Sequence, residues 1–346
     1  MYKAIMDIPS SFARESRFTG PLSEVRSRLW QIDSEGYTCT MRQAAKLLDV
    51  EKDATSHKIL KLLQQEIPYA EWLVDDRGGI QGALNSQRIG RPTEFITGIQ
   101  DYAAFSGDDE VWLRMLKKAG DWAALYKAVP HVLSREARSP APYPLEVRQA
   151  KRVVGLTGEF MLKWLVEKFL ARMNAPSNVM RVLALSPGEE FSLPTGYSLR
   201  PTGVTPYAVF ADPSAHSSVQ SREYDVVIVG NHGAQRIYFL DSTTSAMSME
   251  EKRLDADLDF VAMRKDMESR SIGSLTKTTL YKIHVVFHQK EGWERLPASN
   301  GNSEGCYSLA LPLHRNVRNF AKSILQKNSL WKAASWLEEN ASGVTG

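Results

Sequence analysis

The chain has 346 residues, of which 43% are hydrophobic and 24% are charged. This length and composition predict two or three folding units and exclude collagen-like, coiled-coil and wholly disordered chains. The net charge of +3 is mildly basic and well below that of a protein that coats nucleic acid.

The N-terminal segment carries a charge every few residues and has Tyr at position 2. We therefore expect neither a signal peptide nor myristoylation. The longest apolar stretches, at 226–229 and 237–240, have the length of strands, so we expect no segment that crosses a membrane. A cytoplasmic location is the expectation that follows.

The first half of the sequence predicts helices. Apolar residues recur with helical spacing at 21–34, twice within 41–66, at 94–128 and at 146–174. Residues 130–145 contain four prolines and few apolar residues, which is typical of a linker. We therefore predict a helical N-terminal region at 1–129, a linker at 130–145 and a second domain at 146–346.

From Val179 onward the predicted elements change. Short segments rich in Val, Ile and aromatic residues are separated by Gly, Pro, Asn or Asp and predict strands at 182–185, 207–210, 224–229, 237–240 and 280–287. The segments 248–271 and 307–339 predict helices. The predicted fold class is α+β, with a helical N-terminal region followed by a mixed domain.

Two cysteines, Cys39 and Cys306, are too few for a disulfide framework or a four-cysteine zinc site. The seven histidines show no metal-ligand spacing, and the sequence contains no glycine-rich loop of the phosphate-binding type. We therefore expect no metal. Either both cysteines are structural or one of them is reactive.

The surroundings of Cys306 favour reactivity. A small, polar loop at 297–305 runs into the apolar segment 307–311, for which we predict a helix. At a helix N-terminus, unpaired backbone N–H groups lower the pKa of a thiol and can bind an oxyanion. A buried structural cysteine at the start of a core helix gives the same pattern, so both interpretations stay open.

A predicted hairpin upstream supplies an acid. Residues 223–229 and 236–241 predict paired strands around a turn at 231–234, and the second strand ends in Asp241 followed by Ser and Thr. A carboxylate in this position can orient a histidine of the partner strand, as in a Cys-His-Asp triad.

These segments together resemble the clan of the Ulp-type SUMO proteases and the YopJ-type effector acetyltransferases, over about residues 205–325. Ile237-Tyr-Phe-Leu-Asp-Ser is similar to the acid strand of that clan, and Asn302-Ser-Glu-Gly-Cys-Tyr-Ser-Leu-Ala-Leu is similar to its cysteine loop and helix. The resemblance implies a papain-like α+β domain and a thiol-dependent enzyme that acts on proteins, either as an isopeptidase or protease or as an acetyltransferase. It also implies a bacterial effector, delivered into a host cell.

The resemblance assigns roles to single residues. Cys306 would be the nucleophile and Asp241 the orienting acid, and Asn300 would replace the glutamine that completes the oxyanion hole in the Ulp type. The backbone N–H groups of Gly305 and Cys306 would complete that hole. For a protein of the YopJ type, the resemblance implies acetyl-CoA as the acyl donor and an inositol phosphate as the activator.

One position departs from the pattern of the clan. Tyr224 stands where the clan has its histidine, and a tyrosine with a pKa of about 10 cannot act as a base at neutral pH. Either the domain is a pseudoenzyme that serves as a binding scaffold, or another histidine takes over. The first choice for that base is His216, in the loop before the strand. The other candidates are His232, His284 and His288.

A competing hypothesis concerns residues 40–65, where two predicted helices flank a short turn and resemble a helix-turn-helix. In that motif the second helix enters the major groove with its N-terminal residues. The residues that would meet the bases are Thr55, Ser56, His57 and Lys58. The residues that would contact phosphates are Arg42, Lys46 and Lys61.

An ordinary helical hairpin would give the same pattern. The predicted turn also contains Asp49, Glu51 and Asp53, which repel phosphate. The alternative function is therefore a non-catalytic DNA-binding regulator, and its partner would be DNA rather than a protein substrate.

Overall fold

A computed structural model describes most of the chain. The described residues are 22–31, 36–106, 121–138, 142–177, 179–193, 196–202, 207–211, 223–231, 235–244, 259–267, 269, 278–287, 305–311 and 313–342. They form helices and a mixed sheet, which confirms the predicted α+β class.

The elements of the N-terminal half are mostly helical. In chain order they are α1 (Ser23–Trp30), β1 (Tyr37–Thr40), α2 (Met41–Leu47), α3 (Ser56–Glu66), β2 (Ala70–Val74), β3 (Gly79–Leu84), a 3-10 turn (Ser86–Gly90), α4 (Pro92–Phe105), α5 (Asp121–Arg138) and α6 (Leu145–Arg172). The predicted helices at 21–34, 41–66 and 146–174 are present within a few residues.

Strands dominate the second half. In chain order they are β4 (Met180–Val182), β5 (Phe191–Leu193), β6 (Tyr197–Pro201), β7 (Tyr207–Ala211), β8 (Glu223–Tyr224), β9 (Val226–Asn231), β10 (Gln235–Thr243), β11 (Thr278–Phe287) and β12 (Cys306–Leu311). Helix α7 (259–267) lies between β10 and β11, and α8 (His314–Lys327) and α9 (Trp331–Ser342) close the chain.

The first three strands form a small antiparallel sheet in the order β1-β3-β2. Two threonines begin the helices beside it. The Thr40 hydroxyl accepts a hydrogen bond from the Gln43 amide, and the Gln43 side chain accepts one from Thr40 N, which is a complete capping box. Thr55 caps α3 in the same way through the Lys58 amide.

The central sheet has the order β4-β9-β10-β11-β12. Strands β10, β11 and β12 are parallel, and β9 runs antiparallel to both of its neighbours. Successive side chains point to opposite faces. One face, with Tyr238 and Leu240, belongs to the same buried cluster as α6, and the other, with Phe239, packs with Phe260 and Met263 of α7.

A second antiparallel sheet, in the order β5-β6-β7-β8, adjoins the central one because β8 leads directly into β9.

One buried core joins the N-terminal elements to the central sheet. The cluster that contains Leu22 of the first helix also contains Leu337 of the last. The Trp30 ring lies 5.8 Å from the Phe169 ring of α6. The Gly90 carbonyl accepts hydrogen bonds from the Tyr238 hydroxyl, at 2.9 Å, and from the Arg236 guanidinium. Strand β10 is thereby attached to the segment that follows the small sheet.

Two predicted elements were wrong. Residues 130–138 of the predicted linker are helical, and Pro130 lies inside α5. The buried side chains of Ala128 and Val129 beside it offset the hydrogen bond that a proline removes. Residues 306–311 form a strand rather than the start of a helix, because their backbone pairs with β11 over six positions.

No helix within the described ranges is long and apolar enough to cross a membrane.

Candidate nucleic-acid interface and catalytic residues

The structure places α2 and α3 on either side of a turn at 48–55, as the helix-turn-helix hypothesis requires. Ala44 and Ala45 of α2 and Ile59 and Leu63 of α3 are buried and hold the two helices together. The left-handed backbone at Asp49, with φ of 52°, ends the first helix.

All six predicted DNA-contacting residues lie on the surface of this unit. They are Arg42, Lys46, Thr55, Ser56, Lys58 and Lys61, and each is exposed to solvent. His57 is exposed beside them, and so are the acids Asp49, Glu51 and Asp53. The surface thus carries both signs of charge, with its cations on the helices and its acids in the turn.

Sequence reasoning missed the hairpin formed by β2 and β3. Its turn is held by Asp75, whose Oδ1 accepts hydrogen bonds from the amides of Arg77 at 2.9 Å and Gly79 at 2.7 Å. Gly78 has φ of 75°, which glycine adopts without strain. The signal was present in the sequence, since Asp-Asp-Arg-Gly-Gly between two apolar segments is typical of a hairpin turn. Arg77 is exposed at its tip.

Cys306 does not occupy the predicted helix N-terminus. It is the first residue of β12, it is 2% exposed, and it packs with Phe239 and Leu280 in the core beside α7. Its register partner on β11 is the fully buried Lys282. Lys282 N donates to the carbonyl of Gly305, so the oxygen of the residue before the cysteine is used in the sheet.

The other predicted catalytic residues are spread over the same region. Tyr224 is 1% exposed, and its ring lies 4.7 Å from that of Phe239, which identifies it as a core residue. Asp241 lies in β10, two residues before the strand ends. His216 and Asn300, the predicted base and oxyanion donor, lie outside the described residues, and so do His232 and His288.

The register of the parallel strands shows what lies between Asp241 and Cys306. Asp241 pairs with His284 of β11, and His284 pairs with Ser308 of β12, two residues beyond Cys306. Two strand spacings and two residues of offset put the Asp241 and Cys306 Cα atoms roughly 12 Å apart. His284 is 4% exposed and lies on the same face as both. Among the four candidate histidines, His284 is the one that lies within the described residues, and it stands between Asp241 and Cys306 in the sheet. The thiol-enzyme hypothesis stays a prediction.

A cluster of three carboxyl groups, which we call the acid cluster, lies where β9 begins and β10 ends. It consists of Asp225 between β8 and β9, Asp241 of β10 and Glu159 of α6. Asp225 Oδ2 accepts hydrogen bonds from the amide of Ser242 at 2.7 Å and from its hydroxyl at 2.6 Å. Burial, the charge of Glu159 and the charge of Asp241 raise the pKa of Asp225 well above its usual range.

The acid cluster lies at the carboxyl ends of parallel strands. In open sheets with such strands, ligands bind in the crevice beyond these ends. Among the described residues, no group of three or more His, Cys, Asp or Glu side chains is arranged to hold a metal ion. A cation bound here would therefore take only one or two ligands from the protein.

No family model, curated protein or solved structure matches this chain.

Proposed function

We propose that this protein binds double-stranded DNA through α2, α3 and the hairpin β2–β3. The observation that supports this function most is the exposed N-terminal end of α3. Its buried side chains, Ile59 and Leu63, face α2 and the core, while Thr55, Ser56 and Lys58 face solvent. A single helix presented in this way fits the width of the major groove.

The arrangement of the neighbouring elements supports the same proposal. Strand β1 and helix α2 precede α3 in the sequence, and the hairpin β2–β3 follows it. Strand β1 runs directly into α2, whose first turn is closed by a capping box, and β2 follows α3, so the small sheet holds both ends of the helix pair. The fixed geometry favours a recognition surface.

The charges set an expectation for the strength of binding. Arg42, Lys46 and Lys61 attract phosphates, whereas the acids of the turn repel them. We therefore expect a modest affinity that falls as salt rises.

The test measures binding of the full chain to a fluorescent duplex of about two helical turns at several salt concentrations. In the variant Lys46→Gln/Lys61→Gln we expect weaker binding and a salt slope that is smaller by about 2, because each phosphate contact contributes about 1. The matched control is Arg152→Gln/Lys168→Gln, which removes two exposed cations of α6. Equal losses in both variants would contradict the assigned surface.

The acid cluster favours a second candidate function, hydrolysis of the bound nucleic acid. Asp225 N donates to the carbonyl of Leu240, the residue before Asp241, and Asp225 accepts two hydrogen bonds from Ser242. A divalent cation of the Mg²⁺ class takes one or two carboxylates and completes its shell with water and phosphate oxygens. When bound, such a cation supplies an activated water. Water adds to phosphorus, the bond to one ester oxygen breaks, and that oxygen takes up the proton.

Titration calorimetry with Mn²⁺ and Mg²⁺ tests the second function, together with cleavage of a labelled duplex in Mg²⁺ or EDTA. Cation binding requires an ionised Asp225, and the pKa of this carboxyl is raised by burial and by its neighbours, so we expect the affinity to increase as the pH rises. Asp225→Asn should abolish both binding and cleavage, while Glu339→Gln, which changes an exposed acid of the last helix, should leave both unchanged. Cleavage that persists in EDTA would exclude this function.

A further inference from the structure

The hairpin turn and the β1–α2 junction enclose a groove of about 600 Å³. Arg42 lies on the α2 side and Arg77 on the hairpin side, and both line the groove. Thr38 and Cys39 of β1 line it as well. Arg42 belongs to the surface proposed above, so the groove continues that surface toward the hairpin.

The electrostatics of the groove favour an anion. Both arginines are exposed, and no acid in the described part of the chain forms an ion pair with either. The acid that lines the groove, Asp75, uses its Oδ1 to hold the amides of the turn. Arg42 and Arg77 line the same groove, and a guanidinium group suits the oxygens of a phosphate because it presents a planar fork of donors.

We propose that this groove holds a backbone phosphate of the bound duplex between Arg42 and Arg77. The inference rests on the proposed DNA binding and adds the hairpin to it. It assigns a ligand-contacting role to Arg77, a residue that lies outside the helix-turn-helix. A free phosphate ion has the same chemistry, so the test must separate the two sources.

The first measurement is the salt dependence of duplex binding for Arg77→Gln, Arg77→Lys and the control Arg152→Gln. Loss of one phosphate contact lowers the salt slope by about 1. We expect that decrease in Arg77→Gln alone. Arg77→Lys should keep the slope and bind more weakly, because lysine keeps the charge and loses the fork. Unchanged affinity and slope in Arg77→Gln, with normal binding by the wild type, would overturn the groove proposal alone.

The second measurement uses the native thiol of the groove. Cys39 is half-buried, and in a Cys306→Ala background it is the sole thiol of the chain. We expect a saturating duplex to slow alkylation of Cys39 by N-ethylmaleimide severalfold, and inorganic phosphate at equal ionic strength to leave it unchanged. If inorganic phosphate slows the alkylation of Cys39 and the duplex does not bind, the groove holds a free phosphate ion and the proposal of a duplex phosphate is overturned. No duplex binding at low salt would overturn the proposed function and, with it, this proposal.

Discussion

Asp225 illustrates how neighbours determine the chemistry of one side chain. Its pKa is raised in the folded state by burial and by Glu159 and Asp241. The folded protein therefore holds a proton that the unfolded chain releases above a pKa of about 3.9. The contribution of Asp225 to the free energy of unfolding therefore decreases as the pH rises from that value through the folded pKa.

The first prediction follows from this sign. Asp225→Asn keeps an acceptor for Ser242 and removes the titration, so its stability should depend less on pH than that of the wild type between pH 4 and pH 8. Urea unfolding at pH 4 and at pH 8 measures the free energy of unfolding of wild type and variant, with Asp76→Asn as the control. If the free energy of unfolding falls by the same amount with rising pH in wild type and variant, the titration of Asp225 is not coupled to folding.

The second prediction concerns the thiols. Cys306 is buried in the core, whereas Cys39 is half-buried at the edge of a groove. We expect a thiol reagent to modify Cys39 in the native protein and Cys306 only after unfolding. Mass spectrometry quantifies the modification of each cysteine. Rapid modification of Cys306 in the native protein would contradict this prediction and support its role as an activated nucleophile.

At the scale of elements, capping threonines fix where α2 and α3 begin. Thr55→Ala removes the side-chain acceptor of the Lys58 amide and should lower the free energy of unfolding by about 1 kcal/mol. The neighbouring Ser56→Ala, one residue inside the helix, is the control and should be nearly neutral. Chemical unfolding of both variants measures the difference, and equal effects would contradict the capping role.

The elements also show what could be predicted from the sequence. The helix pair was predictable because its apolar spacing and caps are local. Residues 306–311 were misassigned because a short apolar run fits a helix or a buried strand equally, and only pairing with β11 decides. His284 was one candidate among four. Its place between Asp241 and Ser308 depends on the register of three strands that are distant in sequence, as does the coupling of Asp225 to Glu159.

For the whole molecule, the shared core predicts cooperative unfolding. Phe169 of α6 contacts Trp30 and Phe95, so it joins the N-terminal elements to the helix beneath the sheet. Phe169→Ala should lower stability by about 3–5 kcal/mol. Exposure of Cys306 in the central sheet should then occur in one transition that coincides with loss of far-UV circular dichroism, to which the N-terminal helices contribute. Two separated transitions would show independent domains.

The Gly90 carbonyl, which accepts hydrogen bonds from both Arg236 and Tyr238, has a consequence for the geometry of any long ligand. It fixes strand β10, which carries Asp241, to the segment that directly follows the hairpin. The segment that follows the small sheet beside α2 and α3 is therefore connected directly to the strand that carries Asp241 of the acid cluster. If a duplex contacted both α3 and the acid cluster, the bases contacted by α3 and the phosphate cleaved at the acid cluster would be separated by a constant number of base pairs.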